Sequence, residues 1–227
     1  PLKKEHLQFL AHTLIPLHKT RTIQFYHLQL SYCMTQYIEK DRNTAIPIVL
    51  GILKYWPWST TSKQLLLFNE LEDVMELISP AVLDQVGEPL FKHIGKCIGS
   101  DHFQVQERCL FLWNNEHLVS NGCLSRQFCA ASLRHVYHNL NIVSQDHWNQ
   151  NVNALARSVI SLYMGFDLSL FNKVSSADVG QDTAIEIKQE KVANDWAEIE
   201  ARAAKVRSKL DEAAAAEEEE SDGATGK

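Results

Sequence analysis

Apolar residues recur every three or four positions along this chain and nowhere alternate in a sustained way, a pattern that confines it to helices packed on helices. The stretch from Asp101 to Glu116 shows this most clearly. On a helix, Phe103, Val105, Cys109, Leu112, Trp113 and Glu116 share one mostly apolar stripe, while Gln104, Gln106 and Arg108 fall on other faces. Just before it, Leu90, Phe91, Ile94, Cys97 and Ile98 form a second stripe. Gly99 to His102 then reads as a turn in which Asp101 caps the next helix. Two amphipathic helices joined by a short capped turn make a helical hairpin.

The same pattern predicts helices over 28–38, 45–56, 62–78, 83–98, 103–119 and about 152–171. Their stops are the EKDRN run, Pro57, Ser79-Pro80, Gly99 and Asn121-Gly122, residues that end helices by losing a donor, freeing the backbone or capping it. Because Pro1 opens directly into an amphipathic pattern, residues 1–174 are expected to be a repeat domain incomplete at its N-terminus. Residues 175–183 are small and polar, a linker. Residues 184–212 favour a charged helix with Trp196 and Ile199 on one face, and 213–227 are too polar to fold and are expected to be disordered.

Charge excludes some functions. The chain carries a net −6, and residues 184–227 alone hold seven basic and twelve acidic side chains, a net of −5, which leaves −1 for residues 1–183. No basic stripe is visible along the sequence, so nucleic acid is not an expected partner. The longest apolar run, IPIVLGIL at 46–53, is far short of the ~20 residues a membrane span needs, and no secretory segment opens the chain. The five cysteines, 33, 97, 109, 123 and 129, lie mostly on apolar stripes and read as reduced core residues of an intracellular protein.

Motifs for chemistry are sparse. His93 and Cys97 are four apart and are either half of a zinc site or a core cysteine with a histidine at the edge of its stripe. His135 and His138 are three apart, with no partner pair at ligand spacing. A zinc hydrolase built on these four residues is one rival reading. There is no GxSxG, HExxH or phosphate-cradling glycine loop, and no catalytic residue, metal or cofactor is expected. The acidic pairs Glu70 with Asp73 and Glu72 with Glu76 read as a solvated helix face.

Asp101, with Val105 four residues on and Arg108 three after that, resembles the signature of HEAT repeats. The segments LHK at 17–19, QLSYC at 29–33, LKYWP at 53–57, FNELEDVMELISP at 68–80, EPLFKHIGKCI at 88–98, FQVQERCLFLWNNE at 103–116 and HWN at 147–149 are similar, in order and spacing, to the regulatory B-prime subunits of protein phosphatase 2A. Residues 121–146 and 172–190 depart from that pattern. The resemblance implies an all-α, right-handed solenoid of HEAT-like hairpins. It also implies a non-catalytic subunit, cytoplasmic or nuclear, that docks on the phosphatase scaffold and catalytic subunits and selects substrates. An unrelated HEAT or armadillo adaptor is the other rival.

Solenoids meet partners along the edges where their turns line up. That singles out Asp101, His102, Phe103 and Gln104, and Asn114, Asn115 and Glu116 at the far end of the following helix, as the expected contact with the phosphatase core. The asparagines either cap the backbone or reach a partner, and His147, Trp148 and Asn149 carry the same two readings; His147 and Asn149 join the expected contact set. Trp113 is expected in the core. The family's groove for L-x-x-I-x-E peptides has a basic wall drawn from a PLKxEH segment, which the resemblance places on Lys3 and His6.

Overall fold

The computed structural model describes residues 2–178 together with Trp196, Ile199 and Glu200. Every regular element among the described residues is a helix. They are α1 (Lys4–Phe9), α2 (His27–Lys40), α3 (Ala45–Lys54), α4 (Thr61–Leu77), α5 (Pro80–Ile98), α6 (Phe103–Leu110), α7 (Glu116–Ser120), α8 (Cys129–Gln145), α9 (Gln150–Phe166) and α10 (168–178). A π turn over Leu10–Leu14 and a 3-10 segment over Ile15–Lys19 prolong α1.

The helices stack in two layers. α2 packs on α4, α4 on α6 and α6 on α9, while α3 packs on α5 and α5 on α8. Contacts between each helix and one two or, past the short α7, three further along are what stacked hairpins produce, so the fold is an all-α solenoid. The core between the layers takes the predicted stripes: Leu67, Leu71 and Val74 from α4, Leu90 and Ile94 from α5, and Val105 and Cys109 from α6, all without solvent contact or nearly so. Helices α5 and α8 approach closely. A Cβ on Gly95 would stand 2.2 Å from the His135 carbonyl oxygen, so only glycine admits that backbone, and Asn139 Nδ2 donates to the Gly95 carbonyl at 2.9 Å.

The structure corrects several expectations. The predicted helix over 103–119 is broken: α6 passes into a 3-10 turn over Phe111–Asn114, and α7 restarts with Asn115 as its N-cap. Asn115 Oδ1 accepts from the backbone N–H groups of His117 and Leu118, which offers the chain a better-satisfied start than continuation. Glu116 is accordingly exposed in the first turn of α7, not part of the buried stripe. Asp101 does not cap α6; His102 holds the N-cap position, and its N–H goes to Ser100 Oγ. The helix expected over 152–171 stops at Phe166, where Asp167 turns extended and its side chain accepts from Leu170 N–H to open α10. Helix α8 fills residues 129–145, between the stripes traced from the sequence. Residues 175–178 are helical, and 179–183, most of 184–212 and the tail 213–227 lie outside the described residues.

The largest correction concerns Glu70. It is fully buried, and its two carboxylate oxygens each lie 2.9 Å from a histidine nitrogen, Oε1 from His18 Nε2 and Oε2 from His27 Nε2. His18 Nδ1 meets the Ile15 carbonyl at 2.8 Å. Both nitrogens of His18 therefore face acceptors, an arrangement that the imidazolium satisfies. Burial opposes that charge, but the hydrogen bond and charge of Glu70 outweigh it and raise the His18 pKa. Glu70 likewise loses to burial and gains more from the two histidines, so its pKa is lowered.

Candidate functional site

Lys3 and His6 open α1 and are both exposed. The Lys3 N–H donates to His6 Nδ1 at 3.1 Å, which leaves Nε2 of the neutral ring as an outward donor. Tyr37 fixes the same turn from α2, its hydroxyl donating to the His6 carbonyl at 3.1 Å. Between the two helices lies a cavity of about 480 Å³, lined by Leu2, His6, Tyr32, Cys33, Gln36, Tyr37 and Lys40. Its walls are mainly apolar, Lys40 is the lysine among them, and Lys3 neighbours Leu2 in the chain. Such a site suits an apolar side chain followed by a carboxylate. Sequence reasoning missed the α2 wall; the signal was Tyr32, an aromatic residue standing off the buried stripe of Leu30, Met34 and Ile38.

The other candidate residues fall into two groups. His102 stacks on Phe103 with centroids 5.6 Å apart, Phe103 meets Trp148 edge-on at 5.5 Å, and Trp148 stacks on His147 at 5.7 Å. Trp148 is 74% exposed, so the row carries a large uncovered aromatic face, with Asp101 and Gln104 exposed beside Phe103 in the same turn. His147 and Asn149 hold this turn in place. His147 Nε2 donates to Gln106 Oε1 at 2.8 Å, its Nδ1 accepts from Asn149 N–H at 3.0 Å, and Gln106 Nε2 donates to the Ile98 carbonyl at 3.0 Å. The Asn149 side chain accepts from Asn151 N–H and caps α9.

Asn114, Asn115 and Glu116 lie at the opposite end of α6 and its 3-10 extension, on the order of 18 Å along the axis at helical rise. There Asn115 Nδ2 donates to Glu72 Oε1 at 2.8 Å and to Glu76 Oε1 at 2.7 Å, while Arg108 reaches Asn69 and Glu72. This end is therefore acidic. Asp73 belongs to the same helix segment, and burial together with the charges of Glu76, Glu72 and Glu70 raises its pKa. Asn115 is thus a cap and an inter-helix tie, whereas Asn114 and Glu116 are exposed and available.

The zinc reading finds no supporting geometry: among the described residues, no group of three or more His, Cys, Asp or Glu converges as metal ligands would. His93 is buried, not at the edge of its stripe, because Trp56 and Trp58 cover it with ring centroids at 4.4 and 4.9 Å. Burial, with a smaller push from Lys96, lowers its pKa to about 4, and burial pushes the Cys97 thiol up to about 12. All five cysteines are free, four of them buried. Trp113 is in the core, edge-on to Tyr163 at 6.1 Å. Among the described residues, no helix is long and apolar enough to cross a membrane.

Known proteins resemble this chain over most of its length. The beta isoform of the human 56 kDa regulatory subunit of protein phosphatase 2A is 39% identical over 177 residues, which cover 78% of this chain and 35% of the relative. The B' beta isoform of the 57 kDa regulatory subunit of the same phosphatase from Arabidopsis thaliana is 45% identical over 173 residues, 76% of this chain and 34% of the relative. The chain spans about a third of the length of the curated relatives it matches. The family model described as protein phosphatase 2A regulatory B subunit (B56 family) matches residues 1–203. With that match laid over a two-layer helical solenoid, the chain belongs to the B56 family of protein phosphatase 2A regulatory B subunits.

Proposed function

We propose that this chain acts within a non-catalytic regulatory subunit of protein phosphatase 2A, which docks on the scaffold and catalytic subunits and brings substrates to them. The family match over residues 1–203 carries this reading. The chemistry belongs to the catalytic subunit, and the regulatory contribution is effective concentration: a phosphoprotein held beside an active site meets it far more often than one free in solution. A cytoplasmic or nuclear location suits five unpaired thiols.

Core contact is assigned to the aromatic turn of Asp101, His102, Phe103, Gln104, His147 and Asn149, and to the acidic end carrying Asn114, Asn115 and Glu116. Expressed with a tag in cells, the chain co-purifies with the scaffold and catalytic subunits. Glu116→Lys weakens that recovery without changing helicity, since the side chain is exposed. Asn115→Ala also lowers stability, by about 1 to 2 kcal/mol, because a cap is lost with the ties to Glu72 and Glu76. Recovery unaffected by Glu116→Lys would remove the acidic end from the interface.

Substrate choice is assigned to Lys3 and His6, beside the cavity against α2. The carboxylate of an L-x-x-I-x-E peptide meets Lys3, the outward Nε2 of His6 donates to it, and an apolar residue fills the cavity. In the intact protein, Lys3→Ala and His6→Ala each weaken peptide binding by about 1 to 3 kcal/mol. Fluorescence anisotropy reads this directly, and indifference to both substitutions would place the peptide elsewhere.

A further inference from the structure

Folding assembles a basic edge that is invisible along the sequence. Between His6 and Asn69 the acidic residues are Glu39 and Asp41, against six lysines and arginines. Several of those cations come from turns that the structure ties together. Lys63 Nζ, at the start of α4, donates to the Thr20 carbonyl at 3.0 Å, which places it against the turn carrying Lys19 and Arg21. One residue on, Gln64 accepts from Trp56 Nε1 at 3.2 Å and donates to the Trp58 carbonyl at 3.0 Å, fastening the turn between α3 and α4. Lys96, near the end of α5, holds its ammonium 4.0 Å from the centroid of the Trp58 ring, and Lys54 Nζ stands 5.5 Å over the Tyr55 ring. Lys19, Arg21, Lys54 and Lys96 are exposed, and Trp58, beneath the Lys96 ammonium, is 45% exposed.

Among the described residues no carboxylate pairs with any of these cations. The nearest acidic residue along the chain is Asp101, five positions beyond Lys96. By contrast Lys92, one turn before Lys96, is held by Glu88 at 2.5 Å. The ammonium groups of Lys54 and Lys96 lie instead on aromatic faces, which orients them without neutralising them. A rigidly held, half-exposed tryptophan with one unpaired cation on its ring and others on the turns tied to it is the arrangement expected of a binding hot spot for an anion-bearing chain.

We propose that this edge docks an acidic, extended peptide segment of a partner protein, with Trp58 as its apolar anchor and Arg21, Lys63 and Lys96 meeting its carboxylates. The residues are separate from Lys3 and His6, so the site adds to the peptide groove of the functional reading and does not depend on it. A peptide fits better than a nucleic acid. The whole chain carries −6, which repels a long polyanion, whereas a short acidic segment confined to this edge experiences the local positive field.

A labelled peptide of alternating Glu and Gly, titrated against the 227-residue chain and followed by anisotropy, tests this. Binding is expected to weaken as salt rises, to be absent for the Gln–Gly counterpart, and to fall about tenfold in Arg21→Glu/Lys96→Glu. Trp58→Ala, which removes no charge, weakens it as well. The control pair Lys92→Glu/Lys173→Glu carries the same change in net charge and leaves binding intact. Equal loss in that control, no binding of the acidic peptide, or loss confined to Lys3→Ala would each overturn the proposal. So would tighter binding of a single-stranded oligonucleotide, or self-association in sedimentation that Trp58→Ala abolishes, since those outcomes make the edge a nucleic-acid or dimer surface.

Discussion

Replacing Glu70 with alanine is expected to lower the stability of the folded chain by about 3 to 5 kcal/mol, more than any other single substitution considered. The carboxylate has no solvent contact, and it is the acceptor for His18 from the segment after α1 and for His27 from the start of α2. Without it the His18 imidazolium stays buried against the Ile15 carbonyl with no counter-charge, or gives up its proton and leaves an acceptor unmet. Urea unfolding followed by circular dichroism measures the loss; a change below about 1 kcal/mol would show that the cluster is not holding these helices together.

The same cluster sets a pH window. The raised pKa of His18 means that its contribution is fully present below the unfolded value of 6.5 and is lost as pH climbs through the folded value. The lowered pKa of Glu70 means that its contribution is present above the unfolded value of 4.5 and is lost as pH falls through the folded value. The wild-type advantage over Glu70→Ala is therefore greatest between those limits and shrinks on both sides.

Gly95→Ala is expected to cost about 1 to 3 kcal/mol, although alanine is the better helix former. The added methyl would stand 2.2 Å from the His135 carbonyl oxygen, which belongs to backbone inside α8 and cannot rotate away. Relief requires α5 and α8 to separate, which also strains the Asn139 hydrogen bond to the Gly95 carbonyl. Gly165→Ala is the internal comparison. Nothing lies within 4 Å of a Cβ at that position in α9, so the substitution gains about 0.5 to 1 kcal/mol from backbone entropy alone. Opposite shifts of the two denaturation midpoints check the argument, and equal shifts would show that the α5–α8 contact is looser than described.

What the sequence determined by itself is whatever a helix decides within a few turns. The stripe of Leu67, Leu71 and Val74 faces the core because residues three and four apart share a face, and Pro57 and Ser79-Pro80 separate helices because of what proline and small polar residues do to the backbone. The order of short motifs carried the family, but not the cavity that α2 forms beside His6. Tertiary structure alone decided the rest. Glu70 looks like a solvated acid until His18 and His27, 52 and 43 residues away, arrive on its two oxygens. Asn115 looks like one of two equivalent asparagines until Glu72 and Glu76 of α4 draw in its amide. Helix α8 shows no clear inward face among its serines, histidines and asparagines until α5 and α9 bury Leu133, Val136 and Leu140. Local periodicity fixes which face of a helix turns inward, whereas a polar side chain becomes buried, tied or exposed according to partners that only the packing of distant helices supplies.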